Sequence, residues 1–411
     1  MDRREFLAFS AILALGSNAW AGQVQAASTT TNRKRLIVIF LRGAVDGLNI
    51  VVPYGESAYY QSRPRIAVPR PDQANGALDL DGHFGLNPGL AAILPLWKQG
   101  SLAFVHGAGS PDVTRSHFDA QDFMESGTPG IKSTPDGWMN RLLGNLGGAN
   151  PVQAINVGAT MPRILSGPRS VASLATGRGS VNFSALDRPQ VASAFDSLYG
   201  GNDALSKTYQ EGRSARKTIM DDLKSPDAEM KAANNGALSV NGFAGDAQRL
   251  AKLMVRDTNV QLGFIAVGGW DTHVNEAGQL NNRLRQLGQG IATLAQTLGP
   301  IYNDTAIVVL SEFGRTVREN GNGGTDHGHG NVIWLAGGSV KGGKVYGQWP
   351  GLSSGQLYEG RDLMVTTDFR DVISTVLDQH LQLDNARIRK VLPGFTATQG
   401  LPLISTVSPL N

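Results

Sequence analysis

The sequence predicts an α/β fold, a three-layer sandwich in which a mostly parallel central sheet carries helices on both faces. Three observations predict it. Short unbroken apolar runs recur along the chain, the pattern of strands buried on both sides. Stretches with helical spacing lie between several of these runs. Hydrophobic residues make up 41% of the 411 residues against 17% charged, a composition that packs a core and argues against a disordered chain.

The chain opens on an address rather than on structure. Met1-Asp2-Arg3-Arg4-Glu5-Phe6-Leu7 sets paired arginines ahead of an apolar run, Leu7 to Leu15, and Ala19-Trp20-Ala21 reads as a cleavage site. The arginine pair followed by x-Phe-Leu resembles the twin-arginine export signal. That resemblance implies passage through the twin-arginine machinery to the bacterial periplasm or exterior. The expected boundaries are residues 1–21 as signal peptide, 22–34 as a polar leader and 35–411 as one large domain. No stretch is long enough to cross a bilayer, so no integral span is expected in the mature chain.

The first strand candidate is Leu36-Ile37-Val38-Ile39-Phe40-Leu41. Further runs occur at Leu102–Val105, Val152–Val157, Leu262–Val267, Ala306–Leu310 and Val332–Ala336. Helical patterns occupy Gly89–Lys98, Phe118–Glu125, Trp138–Leu146, Ala244–Val255, Leu280–Leu298 and Phe369–Leu377. Residues 185–240 are richer in polar side chains and read as a helical insertion. The 51 glycines show no G-X-Y period, so they belong to turns and to loops that approach something closely. With no cysteine, disulfides, thiolate metal sites and a cysteine nucleophile are excluded. The formal charge of +3 is spread without a basic run, which argues against nucleic-acid binding.

In open α/β sheets, ligands bind outside the carboxyl ends of the strands. The residues directly after each apolar run are therefore the place to look for chemistry. After the first come Arg42-Gly43-Ala44-Val45-Asp46-Gly47, and beyond the second Thr114-Arg115-Ser116-His117-Phe118-Asp119. The Leu262 run ends in Gly269-Trp270-Asp271-Thr272-His273, and the Ala306 run in Ser311-Glu312-Phe313-Gly314-Arg315-Thr316. Thr325-Asp326-His327-Gly328-His329 stands just before the last run. Oxygen and nitrogen ligands without sulfur suit a divalent metal, zinc or manganese first.

Each element also has a plain structural role. Asp46 before Gly47 can cap a turn. Asp271 and His273 either hold a metal or share a structural hydrogen bond. Glu312, directly after a buried strand, needs a partner, and that partner is either a metal or Arg315. The Asp326-His327-Gly328-His329 loop is the strongest metal signal, with His327 and His329 competing for the role. Ser116 is either the N-cap of the next helix or a nucleophile at a helix N-terminus, where an anion is favoured. Thr114 is the competing hydroxyl, and Arg115 can grip a phosphate or sulfate oxygen. His83, His106 and His380 lie outside any cluster and are expected to pack or face solvent.

These residues carry a family resemblance. The sequence resembles the DUF1501 family through Arg3-Arg4-x-Phe6-Leu7, Leu41-Arg42-Gly43-Ala44-Val45-Asp46-Gly47, Arg115-Ser116-His117-Phe118-Asp119, Gly269-Trp270-Asp271-Thr272-His273, Ser311-Glu312-Phe313-Gly314-Arg315-Thr316 and Gly324-Thr325-Asp326-His327-Gly328. That family is in turn similar to the alkaline phosphatase and sulfatase superfamily, which implies an alkaline-phosphatase-like fold with a metal site. Carried over residue by residue, the resemblance makes Asp46, Asp271, His273, Glu312 and His327 metal ligands and Ser116 the nucleophile, assisted by Arg115 or Arg315. Glu312-Phe313 stands where the superfamily has Asp-His, so one ligand is missing; Asp119, His117 and Asp326 are candidates to replace it. The implied function is an exported metal-dependent hydrolase of small-molecule or polysaccharide phosphate or sulfate esters. The alternative is an exported non-catalytic binding or assembly protein on a degenerate sulfatase-like scaffold.

Overall fold

The computed structural model describes residues 33–147, 150, 152–174, 226–398 and 400–405. Residues from Lys34 onward form one compact unit. The expected signal peptide, nearly all of the polar leader and most of the 185–240 insertion lie outside the described residues.

Thirteen strands are described: β1 (Arg35–Arg42), β2 (Val51–Val52), β3 (Leu78–Asp79), β4 (Gly85–Leu86), β5 (Leu102–Gly109), β6 (Ala154–Val157), β7 (Ala172–Leu174), β8 (Leu238–Ser239), β9 (Leu262–Gly268), β10 (Thr305–Leu310), β11 (Asn331–Ala336), β12 (Lys344–Tyr346) and β13 (Thr367–Asp368). The main sheet runs β12-β5-β11-β10-β1-β9-β6-β7, with β13 beside β5 and β8 beside β9. Only β11 runs against its neighbours, pairing antiparallel with β10 and β5; the other pairings in this sheet are parallel. The predicted mixed α/β architecture with a mostly parallel sheet is therefore what the chain adopts.

Alternation along β1 explains the three layers. Leu36, Val38 and Phe40 enter one core with the helices Trp138–Asn145, Phe369–Thr375 and Asn385–Val391. Ile37, Ile39 and Leu41 enter the opposite core with the helices Phe243–Arg256 and Glu276–Leu298. Each of these fully buried side chains contributes roughly 1.5–3 kcal/mol by leaving water. Because both faces are covered, every residue of β1 is buried, which is why its sequence is continuous rather than alternating.

Several element boundaries differ from the sequence expectation for local reasons. The segment Gly89–Lys98 divides into a 3-10 turn, Pro88–Ile93, and a short helix, Leu94–Lys98, because Pro95 cannot donate a hydrogen bond in the middle of a longer helix. The long helix begins at Glu276, one turn before its first core leucine, Leu280. The helix beginning at Phe369 passes into a π-turn, Val376–His380. The small sheet β2-β4-β3, with two-residue strands, carries no apolar run long enough to announce it.

The topology gathers one edge. Strands β1, β9 and β10 are parallel, so their carboxyl ends lie together, and antiparallel β11 starts where they stop. Strand β5, antiparallel to β11, ends at the same edge and leads into the helix His117–Ser126.

Candidate functional site

The loops at this edge touch backbone to backbone, and glycine makes that possible. At Gly43, with φ of 115°, an added Cβ would lie 2.7 Å from the Asp271 amide nitrogen. At Gly314 it would lie 1.8 Å from the Gly330 carbonyl oxygen. The loop after β1 therefore presses on the one after β9, and the loop after β10 on the one before β11.

Three imidazoles converge in the space so formed. The Nε2 of His117 is 2.9 Å from that of His327, which is 3.1 Å from that of His273. Asp271 Oδ1 lies 2.9 Å from His273 Nε2, 3.3 Å from His327 Nε2 and 3.6 Å from His117 Nε2. On the far side of each ring an oxygen holds Nδ1: Glu312 Oε1 at 2.8 Å for His117, Asp326 Oδ1 at 3.3 Å for His273, and the Arg115 carbonyl at 3.0 Å for His327. Glu229 Oε1, on the helix Pro226–Asn234, stands 3.7 Å and 3.8 Å from the Nε2 atoms of His273 and His327. One ligand atom from each of Glu229, Asp271, His273 and His327 lies within 4.8 Å of all the others, a grouping that can hold a metal ion.

Arg315 organises this edge. Its guanidinium is fully buried and donates to the carbonyls of Ala44 at 2.7 Å, Gly43 at 2.8 Å, Thr325 at 3.1 Å and Trp270 at 3.2 Å, and also to Asp271 Oδ1. Three loops are thereby tied to one side chain. Burial works against the Asp271 charge, but the Arg315 guanidinium and the three imidazoles hold its carboxyl far below the usual range. Its other oxygen, Oδ2, is buried and has no hydrogen-bond partner. Burial pushes the His117 imidazole down, yet Asp271 and Glu312 together hold it up at about 9. Burial outweighs the bond of His327 to Asp271, the His117 and Arg315 charges add to it, and the imidazole is pushed down to about 4.

The expected site residues divide. Asp271, His273 and His327 come together in the cluster. Asp46 does not: it is buried against both terminal nitrogens of Arg63, whose remaining donors reach the carbonyls of Val317 and Thr316 at 2.9 Å. A carboxylate engaged by a guanidinium fork has few lone pairs left for a metal. Glu312 is paired with His117 and not with Arg315. It accepts from His117, from Gln121 at 3.0 Å, from the Gly43 amide at 2.8 Å and from Ser311 at 2.8 Å; burial works against its charge, but His117 and Gln121 bring its carboxyl down to about 2. Arg315, expected to assist catalysis, is enclosed among the loop carbonyls and Asp271. Ser116 is the exposed N-cap of the helix His117–Ser126, with no side-chain cap bond. Arg115 reaches Glu359 at 2.6 Å and the buried Asp362 at 2.8 Å.

Of the remaining histidines, His106 and His380 hold backbone carbonyls, those of Val51 at 2.9 Å and Arg35 at 3.0 Å, while His329 packs against the ring of Tyr358. Arg63, Glu229 and Glu276 were not legible in the sequence. Arg63 follows none of the long apolar runs, and Glu276, the first residue of the helix after β9, lies three residues beyond His273 and outside the motif there. Glu229 lies on a segment that reads only as polar.

Glu276 makes a testable neighbour of the site. Its carboxyl is fully buried, accepts from Asn49 at 2.9 Å and from Thr325 at 2.5 Å, and is raised to about 8 by burial and by Asp46. Folding therefore retains a proton that the unfolded chain releases near 4.5, and the associated stabilisation is full below about 4.5 and lost by about pH 8 as pH rises. Glu276→Gln imitates the protonated form. Thermal melts from about pH 5 to pH 8 are expected to show the wild-type losing stability relative to this variant as pH rises; parallel curves would contradict the assignment.

The family described as "Protein of unknown function (DUF1501)" matches residues 33–392. Among curated proteins none matches. Solved structures similar to the chain include a protein in the alkaline phosphatase superfamily from Vibrio parahaemolyticus, with 10% identity, 77% of this chain and 62% of that one covered, and a TM-score of 0.35. The chain thus spans 62% of the length of that Vibrio protein. Similar too are the C-terminal periplasmic domain of EcEptC from Escherichia coli, at 10% identity, 89% and 88% coverage and a TM-score of 0.38, and a 2-O GAG sulfatase, at 10%, 90% and 76%, and 0.39.

Proposed function

This chain belongs to the DUF1501 family, and we propose that it is an exported, metal-dependent hydrolase of phosphate or sulfate esters. The observation that carries the reading is the convergence of Asp271, His273, His327 and Glu229 at the carboxyl edge of the sheet, where ligands of open α/β folds bind. The donor chemistry fits a divalent metal of the zinc or manganese type, and Asp271 Oδ2 is a buried carboxylate oxygen with no hydrogen-bond partner. When bound, the metal supplies a Lewis acid that offsets charge developing on the ester oxygens. His273 and His327 are partly exposed, which gives a substrate access.

The chain's own groups do the rest. Ser116 stands exposed at the start of a ten-residue helix, where free amides favour an anion, and is assigned as the nucleophile. Arg115 beside it, fixed by Asp362, offers a guanidinium to a non-bridging oxygen. Arg315 positions Asp271 rather than touching substrate. The paired arginines at Arg3 and Arg4 support export by the twin-arginine route. No helix among the described residues is long and apolar enough to cross a membrane.

The test is hydrolysis of small aryl phosphates and sulfates and of sulfated polysaccharides by protein loaded with zinc or manganese. Metal-dependent turnover that falls in Ser116→Ala supports the reading; a metal-loaded, folded protein inert on every ester would sink it. One observation favours a second reading, an exported binding or assembly protein on a degenerate scaffold. Asp46 and Glu312, expected as ligands, are taken up by Arg63 and His117.

A further inference from the structure

We infer that His117 is a metal ligand, completing a set of three imidazoles and one carboxylate with Asp271, His273 and His327. The inference rests on the metal reading of this site but not on the ester chemistry. Ligand atoms around a tetrahedral ion with bonds of about 2.0–2.1 Å are separated by roughly 3.3 Å. The donor atoms here are spaced to match: 2.9 Å and 3.1 Å between imidazole nitrogens, and 2.9 Å, 3.3 Å and 3.6 Å from Asp271 Oδ1 to the three rings. Glu229, at 3.7 Å and 3.8 Å from its two histidines, stands at the open side of this set.

Ring orientation is the second argument. Each Nδ1 faces an oxygen, two of them carboxylates and one a backbone carbonyl. Nδ1–H donates to that oxygen, so each Nε2 is left to turn its lone pair inward, the carboxylate–histidine–metal arrangement. A cation at the centre satisfies all three rings and Asp271 together. Glu312 then acts as a positioning residue behind His117, held by Gln121, Ser311 and the Gly43 amide. The helix His117–Ser126 consequently directs His117 inward and leaves its cap residue, Ser116, outside the donor set.

The experiment measures zinc affinity by competition with a chromophoric chelator, and the visible spectrum of the cobalt(II)-substituted full chain, for wild-type, His117→Gln, Glu312→Gln and Ser116→Ala. His117→Gln is expected to weaken zinc by about 100-fold or more and to change the cobalt spectrum; Glu312→Gln is expected to cost about 10–100-fold. Ser116→Ala should leave both readouts at the wild-type value. Circular dichroism confirms folding of each variant. A folded His117→Gln with wild-type affinity and spectrum overturns the inference while leaving the hydrolase reading intact. Wild-type zinc binding that His117→Gln weakens, without turnover of any ester, upholds the inference and removes the hydrolase reading. A wild-type chain that binds neither metal overturns both.

Discussion

Replacing Asp271 by asparagine is expected to abolish tight metal binding and to lower kcat/KM for ester hydrolysis by roughly 10³-fold, equivalent to about 4 kcal/mol of transition-state stabilisation. The position of the residue is the reason. Asp271 Oδ1 lies within 3.6 Å of the Nε2 of all three imidazoles, just beyond the end of β9 in a loop pressed against Gly43. Asparagine keeps the shape and can still accept from Arg315, so the loop is retained while the negative charge is removed. Metal content and steady-state kinetics on the same preparation check it. Wild-type turnover in a folded Asp271→Asn protein would contradict the site.

The second large effect concerns stability. Arg315→Met is expected to cost about 3–5 kcal/mol in denaturant unfolding, because it strands the buried Asp271 charge and leaves the carbonyls of Gly43, Ala44, Trp270 and Thr325 without that donor. Removing both charges tests the cause. Arg315→Met combined with Asp271→Leu should be less destabilised than the two separate losses add up to, since no lone buried charge remains. A loss under about 1 kcal/mol in Arg315→Met would show that the guanidinium does not hold the three loops together.

How much of this could be read in the sequence depends on the range of the interaction. Strands such as Leu36–Leu41 and Ala306–Leu310 were legible because burial on both faces forces every residue to be apolar. The mostly parallel sheet was legible from their alternation with helical segments. The antiparallel strand of the main sheet, β11, was not, since reversal leaves no mark on the apolar run Val332–Ala336. In the site, Asp271, His273 and His327 stand out because they come directly after or before such runs in glycine-rich loops.

Pairing was the part that remained hidden. Whether Asp46 faces a metal or a guanidinium depends on Arg63, and nothing local marks Arg63 as buried. Likewise Glu312 had two foreseen partners, a metal and Arg315, and the chain supplies a third, His117, from a different strand edge. In the sequence His117 is only one of several substitutes for a missing ligand. Its inward direction is set by where the helix after β5 begins relative to the loop after β9, a three-dimensional fact that residue spacing does not encode.

The most direct test of the metal centre is the metal content of the purified protein beside an Asp271→Ala, His327→Ala double variant. The account predicts about one equivalent of a divalent transition metal in the wild-type chain, lost in a variant that remains folded. No metal in either protein, with both folded, would contradict it and leave the binding or assembly reading in its place.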